Sequence, residues 1–480
     1  MSSLQPKTIN SVVWSGLERF SAQGVQFITN IVMARMLMPE DYGVMAILVV
    51  FLAVFQIFID SGFSSALVQK HDRSEIDYAT VFYFSISISV VMFFVLFCFA
   101  RLIAEFYQIY MLTFAIRVIG FNLIITAFGI VPRAKFTILL NFKTQAKTSF
   151  VGVLLGGAVG IWMAYAGYGV WALISQILLS NGVSTILLWI LSKWWPLATF
   201  SIVSFKKLFF FGSKLLLSGL LDVIYRNIYT LIIGRKFTTY ELGFYSRADH
   251  FANFSSANIS DIINRVVFPV MCEAQYDDEN IKKIFCKILR ASTFIIFPLM
   301  AGLIALAEPF IRLLLTERWM GIVVFLQILC LSYMWYPVHA LNLMLLQAKG
   351  RSDLFLRLDI VKKIVGIAIL IVTIPLGLTA MCIGLVVYSI VALYVNAFYT
   401  KRYLSVGLVQ QIKYMLPSLL LSSSMGVIIF LLTQLELSDV ITLLVGMSFG
   451  CLYYIGIAKA LKMRQWQELQ IVFSLVGKKA

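Results

Sequence analysis

The chain has 480 residues, 60% of them hydrophobic and only 13% charged, with a formal net charge of +16; soluble domains ordinarily carry about 25% charge. Apolar stretches of about 20 residues, the length that crosses a hydrocarbon core of roughly 30 Å, recur from end to end. A soluble fold is excluded, and because the cations collect in alternating connections, the net charge reads as membrane topology and excludes a nucleic-acid partner.

The leader MSSLQPKTIN is short and polar with no small-residue cleavage site, so no cleavable signal peptide is expected. Fourteen spans follow, near 11–34, 42–67, 79–100, 111–131, 148–166, 168–191, 209–233, 241–270, 291–314, 321–347, 358–376, 378–399, 412–434 and 440–459. With the N-terminus in the cytoplasm, the inward segments hold Arg133, Lys135, Lys143, Lys147, Lys193, Lys206, Lys207 and Lys214, and later Lys282, Lys283, Lys287, Arg290, Lys349, Arg351, Arg357, Lys362 and Lys363. The outward face has Arg35, Arg101, Arg235, Lys236, Arg312 and Arg318. Such a basic inner face attracts anionic lipid headgroups.

Polar residues within the spans are expensive and therefore informative. The first helix lines Ser15, Glu18, Gln26 and Thr29 along one face, with Arg19 and Asn30 on the adjoining stripe. The second carries Gln56 and Asp60 toward its end, IFIDSGFSSALVQK, where a carboxylate needs a partner, a proton or water. Arg19 lies at similar depth and is a candidate partner, in a structural or a gating pair, and the small residues of SGFSSA admit a close neighbour. The fourth span holds Arg117. The seventh holds Ser218, Asp222, Arg226 and Tyr229, and the eighth holds Arg247, Asp249, His250, Asn253, Asn258, Asp261, Asn264 and Arg265. The five intramembrane arginines (Arg19, Arg117, Arg226, Arg247, Arg265) and five acids (Glu18, Asp60, Asp222, Asp249, Asp261) sum to zero. Two readings stand: a wet, charged lumen, or neutralised pairs such as Asp222 with Arg226 and Asp261 with Arg265.

NIVMARMLMPEDYGVM (30–45) matches TLIIGRKFTTYELGFY (230–245), with Arg35, Asp41 and Gly43 answered 200 residues later by Arg235, Glu241 and Gly243. Six spans separate the copies, so the two halves run in the same direction, as in transporters with parallel repeats and a substrate site between halves. The expected division is residues 1–205 and 206–400 as two six-helix lobes, with two more helices and a tail in 401–480. The six cysteines are scattered without a Cys-x-x-Cys pair, and the three histidines (His71, His250, His339) are not at metal-ligand spacing. A lone histidine on a membrane helix is most often a hydrogen-bonded packing residue. There is no Walker loop or His-Glu-x-x-His, and no connection is long enough to house a nucleotide-binding fold. The expectation is transport without built-in chemistry, needing no cofactor and no metal.

The stretches SGLERFSAQGVQFITNIVMARMLMPEDYGVMAI (15–47), DSGFSSALVQK (60–70), GYGVWAL (167–173), LGFYSRAD (242–249) and RVVFPVM (265–271) together resemble the Wzx-type polysaccharide flippases of the multidrug/oligosaccharidyl-lipid/polysaccharide (MOP) exporter superfamily, the colanic-acid exporter and lipopolysaccharide branch above all. The resemblance implies an all-α membrane fold of about fourteen helices, two six-helix lobes in a V plus two C-terminal helices. It implies carriage of undecaprenyl-diphosphate-linked oligosaccharide from the inner to the outer leaflet of the bacterial cytoplasmic membrane, with both termini cytoplasmic. Polysaccharide polymerase and chain-length proteins would be candidate partners beside the membrane lipids.

On this reading Arg19, Arg117, Arg226, Arg247, Arg265, Gln26 and Asn253 are candidates to hold substrate, arginine because its planar fork binds phosphate oxygens bidentately. Trp14, Tyr225, Tyr229 and Trp335 are candidates to stack on sugars. Glu18, Asp60, Asp222, Asp249 and Asp261 are candidates for gating or ion coupling, with the membrane potential or a proton or sodium gradient as the drive. The alternatives are a cation (drug or metabolite) antiporter of the same superfamily, a polymerase or ligase of the same pathway, and a peptidoglycan-precursor flippase.

Overall fold

A computed structural model describes residues 23–70, 72–139, 141–435 and 437–468; the side chains at 207, 211, 214, 261, 262, 265 and 266 lie outside that set. The described regular structure is helical throughout. Residues 23–36 belong to α1, followed by α2 (Pro39–Asp60), α3 (Phe63–Gln69), α4 (Glu75–Tyr107), α5 (Met111–Ile119), α6 (Phe121–Ile138), α7 (Phe142–Tyr165), α8 (Val170–Ser192) and α9 (Ile202–Lys236). Then come α10 (Thr239–Glu273), α11 (Asp278–Ala305), α12 (Ala307–Leu315), α13 (Ile322–Tyr333), α14 (Tyr336–Ala348), α15 (Ser352–Thr373), α16 (Leu378–Leu404), α17 (Leu408–Thr433) and α18 (Asp439–Ala460). Among the described residues, 11 helical segments are long and apolar enough to cross a membrane. α10 and α15 are as long as the others, but their charged residues keep them out of that set.

Several expected spans are interrupted, each for a local reason. The run 42–67 divides at Ser61 and Gly62, whose φ values of +42° and +70° end α2 and start α3. The run 111–131 is divided at Gly120 between α5 and α6, where a Cβ would sit 3.2 Å from the Phe93 ring. The run 321–347 breaks before Pro337, which fits the first turn of α14 because its missing N–H is not needed there. Hydropathy registers the apolarity of these runs but not their continuity.

The chain divides into two compact units, Met1–Gly243 and Phe244–Ala480. In the first, Phe63, Leu67, Tyr78, Phe82, Val131 and Trp194 form a buried core where α3, α4, α6 and the segment after α8 meet. One end of this core is tied by Glu75, which binds Lys135 Nζ at 2.9 Å and the Trp194 indole N–H at 2.7 Å. α7 lays Gly152, Gly156 and Gly160, one turn apart, against Ser184, Ser180 and Gln176 of α8, the small-residue approach favoured where lipid offers no hydrophobic drive. In the second unit Phe294, Leu306, Leu421, Met425, Ile429 and Tyr454 pack α11, α17 and α18 together. There Arg290 donates to Glu468 at 2.7 and 2.5 Å, both residues buried, tying the segment after α18 to α11. Ile364, Ile371, Leu444 and Leu452 are exposed, as the lipid-facing side of a membrane helix should be.

Candidate functional site

The two copies of the repeated joint meet within the first unit. A Cβ on Gly43 would overlap the Thr239 carbonyl oxygen and sit 3.2 Å from the Gly243 nitrogen. A Cβ on Gly243 would overlap the Pro39 carbonyl oxygen and sit 3.2 Å from the Pro39 Cα. The contact is reciprocal: position 43 of one copy touches position 239 of the other, and 243 touches 39. Two helix starts in van der Waals contact through bare backbone require glycine at both crossing positions.

Each start is capped in its own way. Thr238 and Glu241 form a complete capping box, the Thr238 N–H donating to Glu241 Oε2 at 3.0 Å and the Glu241 N–H to Thr238 Oγ1 at 3.2 Å. Met38 has no side-chain oxygen to offer, so α2 keeps only half the box, the Met38 N–H donating to Asp41 Oδ2 at 3.0 Å. Asp41 compensates by also accepting the Val170 N–H at the start of α8, against which Gly169 packs. Tyr42 donates its hydroxyl to the Asn30 carbonyl at 3.3 Å, fastening α1 to α2.

In the same unit Gln26 donates to Asn30 at 3.2 Å and Gln56 accepts from Thr126 at 2.8 Å. On α9, Arg226 and Asp222 pair at 2.8 Å with side chains 72% and 43% exposed, inside the apolar segment Leu215–Lys236. Exposed charge in the middle of such a helix needs water around it.

Asp60 answers the question its position raises. It ends α2 rather than lying within a continuous span, and its Oδ1 accepts the Ser64 N–H at 3.4 Å, at the positive end of α3. The small residues beside it take α9: Gly62 would carry a Cβ 2.9 Å from the Gly212 Cα. Glu18 and Arg19 lie outside the described residues, and the expected Arg19–Asp60 pair with them. The side chains of Asp261 and Arg265 are likewise outside the described set.

The remaining candidates are dispersed. Arg117, in the last turn of α5, stacks over Phe97 of α4 at 4.4 Å. On α10, Arg247 and Asn253 are half-buried, and Asp249 accepts the Tyr333 hydroxyl at 2.7 Å. The structure thus brings Gln26, Asp222 and Arg226 into the unit that holds the joint and places Asp249, Arg247 and Asn253 in the other. Sequence reasoning missed a buried cluster in the second unit, Asn342, Gln411 and Thr400, whose amides and hydroxyl bond at 2.6 to 3.0 Å. The three sit on three different helices, far apart in the sequence, so no single stretch announced the cluster. No group of acids, histidines and cysteines able to hold a metal occurs among the described residues.

Residues 32–324, more than half of the chain, match the family described as polysaccharide biosynthesis protein. Teichuronic acid biosynthesis protein TuaB of Bacillus subtilis (strain 168) is 27% identical over 361 residues, 74% of each chain. Lipopolysaccharide biosynthesis protein WzxC of Escherichia coli (strain K12) is 24% identical over 440 residues, 89% of each chain. The solved structure of lipid II flippase MurJ in an inward closed conformation matches with a TM-score of 0.75 at 16% identity, covering 94% of this chain and 98% of that one. Its repeated joint, its run of membrane helices and these likenesses lead to one assignment: the chain belongs to the polysaccharide biosynthesis protein family, a multi-span membrane protein with the fold of the MOP-superfamily flippases.

Proposed function

We propose that this protein is a flippase that carries undecaprenyl-diphosphate-linked oligosaccharide units from the inner to the outer leaflet of the bacterial cytoplasmic membrane, with both termini in the cytoplasm. The reciprocal Gly43–Gly243 crossing carries the reading. A joint made of backbone contacts between two repeated helix starts can part without breaking a side-chain network, which is what alternate opening to the two sides asks of it. With the N-terminus inside, this joint lies on the outer side.

The cargo reading rests on the family and on chemistry. Arg226, held on α9 among exposed residues, offers a guanidinium that stays charged when water is removed, as a diphosphate requires. Two negative charges moved outward across an inside-negative membrane gain roughly 4–5 kcal/mol per 100 mV if they traverse the whole field. The described acids argue against a cation exporter, since Asp60, Asp222 and Asp249 are each held by a donor. No step needs built-in chemistry, so we read the chain as a transporter and not an enzyme.

The test is a deletion strain analysed for lipid-linked glycan, with purified protein in vesicles as its counterpart. Accumulation of one lipid-linked oligosaccharide on the inner leaflet, and its transbilayer movement in vesicles, is the expected result. Normal surface glycan with altered export of cationic compounds would replace this reading by the antiporter.

A further inference from the structure

The second unit contains a histidine whose two ring nitrogens are both accounted for. His339 on α14 places Nε2 at 3.0 Å from the Ser389 hydroxyl and Nδ1 at 3.3 Å from the Asn396 amide nitrogen, both on α16. Ser389 spends its one proton on the Ser332 carbonyl at 3.1 Å, so it accepts from Nε2–H. The amide nitrogen of Asn396 can only donate, so Nδ1 accepts. Both contacts fit one species, a neutral ring protonated on Nε2.

That arrangement leaves a buried oxygen unsatisfied. Asn396 is 1% exposed, and its Oδ1 has no hydrogen-bond partner. Such orphans are rare in folded proteins and call for an explanation. The neighbouring layer shows what saturation looks like here: Asn342, Gln411 and Thr400 exchange bonds among themselves and with the Val338 and Val406 carbonyls. On α15, which packs against both α14 and α16, Lys362 is 8% exposed and makes no hydrogen bond or ion pair among the described residues. Its neighbours Asp359 and Lys363 pair with each other at 2.9 Å. Among the other charged groups on the helices packed against α14, Arg290 of α11 is held by Glu468, Asp278 by Lys349 and Lys283 by Glu279, while α11 also carries Lys282 and Lys287, α15 Arg357 and α16 Lys401 and Arg402; Asp249 of α10 accepts the Tyr333 hydroxyl. α16 and α17 contribute amides and hydroxyls to this region.

We propose that His339, Asn396 and Lys362 form a proton-binding site inside the second unit, the point at which a proton gradient acts on transport. A proton from water adds to His339 Nδ1. The Asn396 amide turns over, its nitrogen gives up the bond to Nδ1, and Oδ1 accepts from the new N–H. The orphan oxygen acquires its partner only in the protonated state. Lys362 opposes that state, since two like charges in a low-dielectric interior repel. Loading the site therefore requires Lys362 to lose charge or reach water, which links proton binding to movement of α15 against α14 and α16.

The coupling role rests on the flippase reading, whereas the site itself does not. With His71→Gln and His250→Gln, His339 is the remaining histidine of the three, and nitrogen-15 imidazole spectra of the full chain in lipid nanodiscs read it directly. The expected result is an Nε2–H tautomer at high pH that becomes doubly protonated on acidification. Replacing the like charge by Lys362→Met should bind the proton about tenfold more tightly, and Asn396→Leu should bind it several-fold more weakly. An Nδ1–H tautomer, or a ring that stays neutral down to about pH 5 even in Lys362→Met, would overturn the site. In vesicles, a pH gradient should speed transbilayer movement of lipid-linked oligosaccharide by the native protein and leave His339→Gln unresponsive. An equal response in His339→Gln refutes the coupling. If the native protein moves no such lipid under any gradient, the flippase reading fails, and the spectra still decide the site.

Discussion

The segments that begin α2 and α10 share a joint and almost nothing else. Both place an arginine, then an acid, then a glycine at matching positions, and both press that glycine against the other's first carbonyl. Beyond the joint, α2 is apolar and stops after 22 residues at Asp60, whereas α10 runs 35 residues with charged and amide side chains along its length. The caps differ as well: Glu241 closes a box with its own Thr238, and Asp41 reaches the start of α8 instead. The repeat keeps the backbone crossing in both copies. The bodies are free to diverge, one packed into its unit and the other kept polar.

The crossing is the place to break this comparison with the largest effect. Gly43→Ala or Gly243→Ala puts a methyl group where a carbonyl oxygen already is. Overpacking of this kind costs about 3 kcal/mol at the upper end, which corresponds to roughly 100-fold in the population of the closed joint. Surface glycan should collapse while the protein still inserts, and a cysteine at Met38 should become more reactive to impermeant thiol reagents. The double variant should be little worse than either single one, because both remove the same contact. Gly24→Ala and Gly182→Ala, which face open space, are the controls and should be neutral.

The joint was legible in the sequence because it recurs 200 residues on with the same spacing of Arg35, Asp41 and Gly43. What the sequence could not disclose was that the copies touch, or where apolar runs break. The positive φ values at Ser61 and Gly62 leave no trace in hydropathy, so Asp60 read as an acid within a span when it is the last residue of a helix. The polar stripes on α9 and α10 were visible through their helical spacing. The Arg290–Glu468 pair spans 178 residues and the Asn342–Gln411 pair 69. Single polar residues carry no period, so only the fold brings them together.

Next in size is the test of the polar body of α9. Arg226→Gln removes a charge-assisted contact to substrate phosphate, worth about 1.5 kcal/mol or more, so transport in vesicles should fall about tenfold. Arg226→Lys should retain part of the activity, since charge persists without the planar fork. Thermal stability should barely move in either variant, because a pair this exposed contributes about 0–1 kcal/mol to folding. A stability loss without a transport defect would make the pair structural and the wall inert.

The caps give a smaller, directional difference. Asp41→Ala and Glu241→Ala each remove a helix cap worth about 1 kcal/mol. Asp41 also holds the Val170 N–H, so its loss exposes two helix starts where the loss of Glu241 exposes one. Thermal unfolding should therefore begin at lower temperature in Asp41→Ala. Equal shifts would mean that the bond to α8 contributes nothing and that the two joints are energetically the same.

The smallest expected effect separates arginines that face substrate from those that pack. Arg117 is as deep in the sequence pattern as Arg226, yet its guanidinium lies over the Phe97 ring and its Nε is enclosed without a hydrogen bond. A cation held on an aromatic face at a partly exposed site contributes about 0.5–1 kcal/mol, and that is what Arg117→Gln should lose. Surface glycan should stay within about twofold of the native level, since no transition in the cycle requires that charge. Phe97→Leu should produce a similar loss of stability, and the double variant should add little to either, as two halves of one contact must. A transport defect in Arg117→Gln as large as in Arg226→Gln would show that the arginine leaves Phe97 during the cycle and meets the cargo, which would place α5 beside α9 among the helices that face it.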